Sequence, residues 1–431
     1  MSVNVRAAVG KALIRAEKEP EKAVRILDGV LDPIRDPRDR AFAARLFYTV
    51  LQNEKWLDWQ LQRRCRTPLK ELQPAVRNIL RVCAAQLLYF DRIPAYSAVN
   101  EAVAECRKQA PRAAGLVNAV CRRIADEGEA DAPEGTSAER LAVRYSHPLW
   151  FTERMLQVFG NTEECGAYLA GNNAVPPIAI RMNTLKNGCE EAFAAAGLTV
   201  RDETGAFCIP AMTEEAGHLL KDGWGYVQDA ASALAVTAGG PEPGMTVADV
   251  CAAPGGKSFT CAMMMKNDGV IHSFDISSKK TELMRRQAEK LGCTCMRTAA
   301  ADSRLPLPLD ERSADLVIAD VPCSGFGVIR KKPEIRFKTQ ESIAGLPAIG
   351  TAILENVSRY VKPGGILLFT TCTVLPEENE NVADRFLTGH PEFSVEAFQI
   401  GQKRIQGGMV TLYPHRDGTD GFFICRMRRT G

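Results

Sequence analysis

From residue 223 onward the chain alternates short β-rich runs with helical stretches, and this rhythm limits the fold more than any other feature. The runs are MTVADVC (245–251), GVIHSFDI (269–276), CMRTAAAD (295–302), ADLVIADV (314–321) and GILLFTTC (365–372), with a late pair near FSVEAFQI (393–400) and GFFICRMR (421–428). Helical segments separate them, such as SSKKTELMRRQAEKLG (277–292), where Ser277 is positioned as an N-cap. Strand–helix alternation predicts a doubly wound α/β sheet, and such sheets bind ligands at the carboxyl ends of their strands.

The first third reads differently. VRAAVGKALIRAEK, PRDRAFAARLFYTVLQ, PAVRNILRVCAAQLLYF and SAVNEAVAECRKQA carry apolar residues at helical spacing, with Pro and Gly between the segments. The acidic stretch DEGEADAPEGTSAE (126–139) reads as a linker. A helix, the strand-like PPIAIRMNTL, a second helix and FCIP follow. The expected organisation is an all-α domain over 1–140, a small α+β connecting module over 141–222 and an α/β domain over 223–431.

Residues 1–125 hold 23 Lys and Arg against 13 Asp and Glu, so a chain of net charge +2 has a strongly basic first third and an acidic remainder. That asymmetry suits a polyanion-binding arm or a set of solvated helix faces. The apolar runs are too short to span a bilayer, and the N-terminal segment has no signal-peptide core. Fourteen scattered cysteines, no CxxC and five dispersed histidines predict no disulfide framework and no metal site. The expectation is a cytoplasmic protein with no membrane partner and no obligate protein partner.

VADVCAAPGGKS (247–258) is a strand, a Gly-rich turn and a helix start. Gly256, Lys257 and Ser258 fit the end of a triphosphate-binding P-loop, but Cys251 stands where its first glycine belongs. As a nucleoside-cofactor loop, Gly255 and Gly256 admit close backbone approach, and acids at the next two strand ends, Asp275 and Asp302, can face a nucleoside.

DVPCSGFG (320–327) and LLFTTCT (367–373) place Asp320, Cys323 and Cys372 at the ends of consecutive predicted strands. Methylating cytosine at C5 needs this set of groups. C5 is a poor nucleophile until a thiolate adds to C6, an acid supports N3 as charge builds, and the C5 proton must then leave. A cysteine, an acid–base group and a sulfonium methyl donor must therefore share one cleft.

DVCAAPGGK, DVPCSGFGVIRKKPEI and TTCTVLPEENENV, together with RMNTL (181–185), VQDAASAL (227–234) and GLVNAVCRRI (115–124), resemble the RNA (cytosine-C5) methyltransferases. Within them the chain is most similar to the RsmB/Sun (Fmu) family, the bacterial 16S ribosomal RNA methyltransferase B enzymes. The resemblance implies a Rossmann-like S-adenosylmethionine-dependent domain behind a NusB-like RNA-binding domain, with 16S ribosomal RNA as partner and cytosine 967 as the conventional target. It implies that Cys251, Ala252, Ala253, Pro254, Gly255, Gly256 and Lys257 line the cofactor loop, that Asp275 holds the ribose, and that Asp302 lies by the adenine. Asp320 would lie between cofactor and base, Cys372 would be the nucleophile, and Cys323 would help release product. Phe326 and Val321 replace the family's usual Thr and Ala and bear on the shape of that loop. The alternatives are another RNA cytosine-C5 methyltransferase, a P-loop nucleotidase, or a non-catalytic RNA-binding assembly factor, which would have no need of both thiols. The basic stretches RRCRTPLK (63–70) and RKKPEIRFK (330–338) are candidates for phosphate contacts.

If Asp275 accepts ribose hydroxyls, each charge-assisted bond contributes roughly 1.5–3 kcal/mol. Asp275→Ala should then weaken S-adenosylmethionine binding at least about tenfold and leave RNA affinity nearly unchanged. Calorimetry with both ligands checks this, and equal losses for the two would assign Asp275 to the fold.

Overall fold

An unbroken apolar run such as Leu316–Ala319 has no polar side to offer water, so its strand must be covered on both faces. The computed structural model describes residues 4–199, 201 and 205–431. Met1–Val3 of the N-terminal segment and four positions of the expected 141–222 module lie outside them. Three short strands, β1 (Ile178–Met182), β2 (Phe207–Ile209) and β3 (Gly225–Val227), form an antiparallel sheet in the order β2-β1-β3. The strands that follow are β4 (Thr246–Asp249), β5 (Val270–Asp275), β6 (Met296–Ala300), β7 (Ala314–Asp320), β8 (Val361–Thr371) and β9 (Phe393–Val395). A hairpin of β10 (Phe398–Ile400) and β11 (Lys403–Ile405), then β12 (Met409–Leu412) and β13 (Phe422–Arg429), complete the set among the described residues.

The main sheet runs β12-β13-β8-β7-β4-β5-β6, with β9 also paired to β13. Strands β4 to β8 are parallel, as the alternation predicts. Strand β13 is antiparallel to β8, β9 and β12, so the sheet is mixed. Residues of β7 divide by parity between two cores. Leu316 and Ile318 pack with Val247, Ile271 and Leu368, while Val317 and Ala319 pack with Ala248, Leu367 and Phe369. From β4 the chain winds outward through β5 and β6, then returns to place β7 on the other side of β4. That reversal opens a crevice at the carboxyl ends of β4 and β7.

The helical segments form where their spacing predicts them, at Val5–Ala16, Pro37–Gln52, Pro74–Tyr89, Ala95–Gln109 and Ala114–Glu127. Asp36 caps the second of these and Pro37 opens it, a position where a missing amide hydrogen costs nothing. Their apolar faces meet in one core that includes Val9, Phe47, Leu80 and Val120. Among the described residues no helix is long and apolar enough to cross a membrane.

The chain divides into two compact units, Met1–Ala174 with Ile329–Gln340, and Val175–Val328 with Glu341–Gly431. The expected 141–222 module is thereby split. Its helices Leu149–Phe159 and Thr162–Gly171 belong with the first unit, and its strands with the second. Asn183 of RMNTL gives the reason on the strand side: its buried side-chain amide donates to the carbonyls of Gly223 (2.9 Å) and Leu291 (2.8 Å). Nor is 126–139 a free linker. Trp59 Nε1 donates to the Asp131 carbonyl, Gln60 exchanges two bonds with Ala130, and Thr136 and Glu139 form a capping box for helix Ser137–Arg144.

Arg81 lies buried in the helical unit and forms ion pairs with Glu17 (2.6 Å), Asp58 (2.7 Å) and Glu54 (3.2 Å). Burial holds the Glu54 carboxyl above its usual range, against the pull of Arg81. A carboxyl raised on folding costs stability as pH climbs through the carboxylate range, and losing its cation enlarges that cost. Arg81→Met should therefore destabilise the helical unit by about 3–5 kcal/mol at neutral pH. Thermal unfolding followed down to about pH 4 should show the deficit shrinking as the acids protonate. A deficit independent of pH would mean packing, not charge, was lost.

Candidate active site

The loop after β4 enters the crevice at its carboxyl end. Gly255 adopts φ +109°, a region costly for residues with a Cβ, and a Cβ there would lie 2.5 Å from the Phe259 ring. Helix Gly256–Met264 starts at once, which directs its first unpaired amides toward the loop. The crevice holds a cavity of about 270 Å³ lined by Cys251, Ala252, Ala253, Pro254, Gly256 and Lys257 on one side. Asp320 and Cys372 line the other.

Two buried polar groups make this cavity suited to a polar ligand. Gln228, which also lines it, accepts from Thr260 Oγ1 (2.9 Å), while its Nε2 is buried without a hydrogen-bond partner. Asp249 is fully buried at the end of β4 and accepts from Ser258 Oγ (2.7 Å), whose oxygen also lies 2.8 Å from Ser273 Oγ. Burial pushes the Asp249 carboxyl up to about 7, offset in part by Ser258 and Lys257. A nucleoside cofactor fits an orphan donor, a glycine cradle and a helix N-terminus better than an apolar ligand does.

The other two expected cofactor acids do not line this cavity. Asp275 ends β5 and accepts from the Ser277 amide (2.9 Å) through one oxygen. Asp302 follows β6 and is chelated by the Arg304 side chain, which holds its carboxyl below the ordinary range. Lys257 Nζ donates to Asp320 Oδ2 at 2.6 Å, so the lysine that a P-loop reading requires is already committed.

Strands β7 and β8 are parallel neighbours with Asp320 opposite Thr370, and Thr370 Oγ1 donates to Asp320 Oδ1 at 2.8 Å. Both chains then turn, and Cys323 Sγ comes within 3.3 Å of Cys372 Sγ. Gly327 makes this turn possible by donating its amide to the Cys372 carbonyl (3.0 Å). A Cβ on Gly327 would lie 1.9 Å from the Gly421 carbonyl oxygen. The Cys323 thiol is held well above its ordinary range, first by its hydrogen bond with Cys372 and then by burial. Lys257 is raised, because Asp320 and other negative neighbours outweigh its burial.

Sequence reasoning missed several groups here. Glu378 Oε2 accepts the Ser324 amide (2.7 Å) and Oε1 accepts the Thr373 hydroxyl (3.4 Å), so it joins the two thiol loops. Asn379 accepts from Thr371 Oγ1 (2.5 Å) and donates to the Thr373 carbonyl (3.1 Å). The signal lies in PEENENV and VQDAASAL, motifs whose spacing assigns no role to Glu378, Asn379 or Gln228. Of the basic stretches, Arg64, Arg330 and Arg336 are buried. Arg64 serves the fold by binding Glu127 and the Gly128 carbonyl. Arg63, Arg66, Lys70, Lys331 and Lys332 are exposed. Among the described residues no group of three or more His, Cys, Asp or Glu is arranged to hold a metal.

The chain is similar to known proteins. The family described as 16S rRNA methyltransferase RsmB/F matches residues 236–428, and the NusB family matches 3–126. A Bacillus subtilis protein named "probable ribosomal RNA small subunit methyltransferase B" is 34% identical, with 99% of each chain covered. A solved structure named only PH0851 is similar with a TM-score of 0.77 at 27% identity, covering 99% of both chains. A methyltransferase homologue from Pyrococcus horikoshii has a TM-score of 0.59 at 26% identity, covering 69% of this chain and all of its own.

Asp249 carries a testable consequence for stability. Its carboxyl titrates near 7 when folded and near the ordinary carboxylate value when unfolded, so the folded state holds the extra proton. Stability from this group is complete below the unfolded value and is lost as pH rises through about 7. Asp249→Asn keeps an acceptor for Ser258 without the charge. The unfolding midpoint of the variant relative to the native chain should rise between about pH 5 and 7 and level off above. A difference that stays flat across that range would show that Asp249 does not titrate there.

Proposed function

Because the chain belongs to the ribosomal RNA small subunit methyltransferase B family, and is thereby an S-adenosylmethionine-dependent ribosomal RNA methyltransferase, we propose that it methylates C5 of a cytosine in 16S ribosomal RNA through a covalent bond from Cys372 to C6. The observation that carries this reading is the meeting of two thiols at 3.3 Å, one of which, Cys372, lines with Asp320 a cavity that the Gly-rich loop also lines. Cytosine 967, the family's conventional target, is the expected position.

In this reading residues 251–257 hold the cofactor, Gln228 Nε2 meets an acceptor on it, and Asp275 and Asp302 take the ribose and the adenine. When bound, S-adenosylmethionine supplies a methyl group on a sulfonium, an electrophile too weak for an unactivated cytosine. The protein's part is to activate the base. Cys372 adds its sulfur to C6, the C5–C6 electron pair moves toward N3, and C5 becomes enamine-like. Lys257 Nζ donates to Asp320 across 2.6 Å, and the pair can support N3 as negative charge builds there. After transfer the C5 proton leaves and the sulfur–C6 bond breaks, restoring the ring. Cys323 serves in this release step. The position of Cys372 on the cavity lining, which Cys323 does not share, supports this division of labour.

The basic helical unit is the RNA-binding part of this proposal, contributing counterion release rather than base readout. A target base within a helix would have to be unstacked to reach Cys372. Ribosomal RNA as substrate implies a cytoplasmic enzyme.

The two thiols should leave different traces when removed. Cys372→Ala should abolish both methylation and any covalent protein–RNA adduct. Cys323→Ala should still attack and accept the methyl group but stall before elimination, accumulating an adduct that survives denaturing electrophoresis and contains 5-methylcytosine. If Cys372→Ala traps RNA while Cys323→Ala does not, the two roles are reversed.

A further inference from the structure

Two thiols 3.3 Å apart cannot both carry a negative charge at acceptable cost, so such a pair ionises one sulfur at a time. The surrounding charges decide which sulfur keeps the proton. Facing Cys323 are Glu378 and Asp320, besides Cys372 itself, and each of them pushes its thiol up. Glu378 is buried, and its Oε2 is fixed 2.7 Å from the amide of Ser324, the residue that follows Cys323. Glu378 itself lies on the loop that follows Cys372, where its Oε1 accepts from the Thr373 hydroxyl at 3.4 Å, so it reaches across from that loop to hold the one that carries Cys323. On the cavity side, Cys372 shares the lining with Lys257, whose ammonium interacts electrostatically with it and with Asp320 and Asp249. Glu378 is thus anchored beside Cys323, while Cys372 shares its cavity with the Lys257 ammonium.

We infer that Glu378 is the positioning residue that sorts the two thiols, joining the loops that carry them and keeping the shared proton on Cys323 so that the negative charge rests on Cys372. This rests on the assignment of Cys372 as nucleophile in the proposed reaction. A carboxylate is the group the geometry calls for, because Glu378 accepts with both oxygens from donors on separate loops. Asn379 completes the frame around Cys372 by binding Thr371 on one side of it and Thr373 on the other.

The test is alkylation of the full chain by iodoacetamide over a range of pH, without RNA or cofactor, with each cysteine quantified by peptide mass spectrometry. In the native chain Cys372 should label first and at lower pH than Cys323. Glu378→Gln should lower the ratio of Cys372 to Cys323 labelling at least about tenfold near neutral pH, and Glu378→Asp, which keeps the charge, should recover part of it. A ratio unchanged in Glu378→Gln overturns the role of Glu378 and leaves the nucleophile assignment standing. Cys323 labelling first in the native chain overturns the assignment and the inference with it. Should Glu378→Gln fail to fold, Cys372→Ser isolates Cys323 beside an intact Glu378. The Cys323 labelling midpoint is then compared between Cys372→Ser and Cys372→Ser with Glu378→Asp: a lower midpoint with the shorter acid supports the inference, and an unchanged one overturns it.

Discussion

The parallel pairing of β7 with β8 is the constraint on which the site depends. Ladder hydrogen bonds set Asp320 opposite Thr370, and that register delivers two chain turns, separated by 49 residues in sequence, to the same edge of the sheet. A slip of one residue would send every side chain of β8 to the opposite face and separate the thiols. The register is strongly specified because both faces are buried. Leu316 and Ile318 fill one core while Val317 and Ala319 fill the other, so no shifted pairing satisfies both.

Polar groups are buried around this pairing at some cost, and most of that cost is met locally. Asp320 has Lys257 and Thr370, Asp249 has Ser258, and Glu378 has Ser324 and Thr373. The Nε2 of Gln228 is a buried group left without a partner, on a residue that lines the cavity where the cofactor is proposed to bind. An orphan donor in a cofactor cavity is a group whose desolvation cost a ligand can offset. The same logic accounts for Lys257. Its burial is tolerable because Asp320 neutralises it, and in the proposed reaction that ion pair is the proton reserve beside the base.

Relatives at the level of whole chains share both halves of the molecule, the NusB-type helices and the RsmB/F-type sheet. The chain passes from the loop that carries Cys323 straight into Ile329–Gln340, a segment that belongs to the helical unit. Arg330 and Arg336 are buried there, and Trp150 Nε1 donates to the Lys338 carbonyl. Positive charge expected from the sequence to form a phosphate-binding surface is therefore partly internal, and of the cations in that stretch Lys331 and Lys332 are exposed.

Local features were legible without coordinates because they are written in adjacent residues. Helical spacing, the Asp36-Pro37 and Ser277 starts, the apolar run of β7 and the Gly-rich turn after β4 each depend on a few consecutive side chains. So did the chemical inventory of Asp320, Cys323, Cys372 and Lys257. Pairing across long separations was not legible. The antiparallel β13, the short strands β3, β11 and β12, and the division of 141–222 between two units are all decided by which surfaces remain to be covered once the elements exist. The approach of Cys323 to Cys372, the reach of Glu378 to both loops and the burial of Arg330 and Arg336 belong to the same class. The sequence by itself determined which elements and reactive groups this protein has. The tertiary structure decided which of them meet, because strand order, register and burial are set by contacts between residues far apart in the chain.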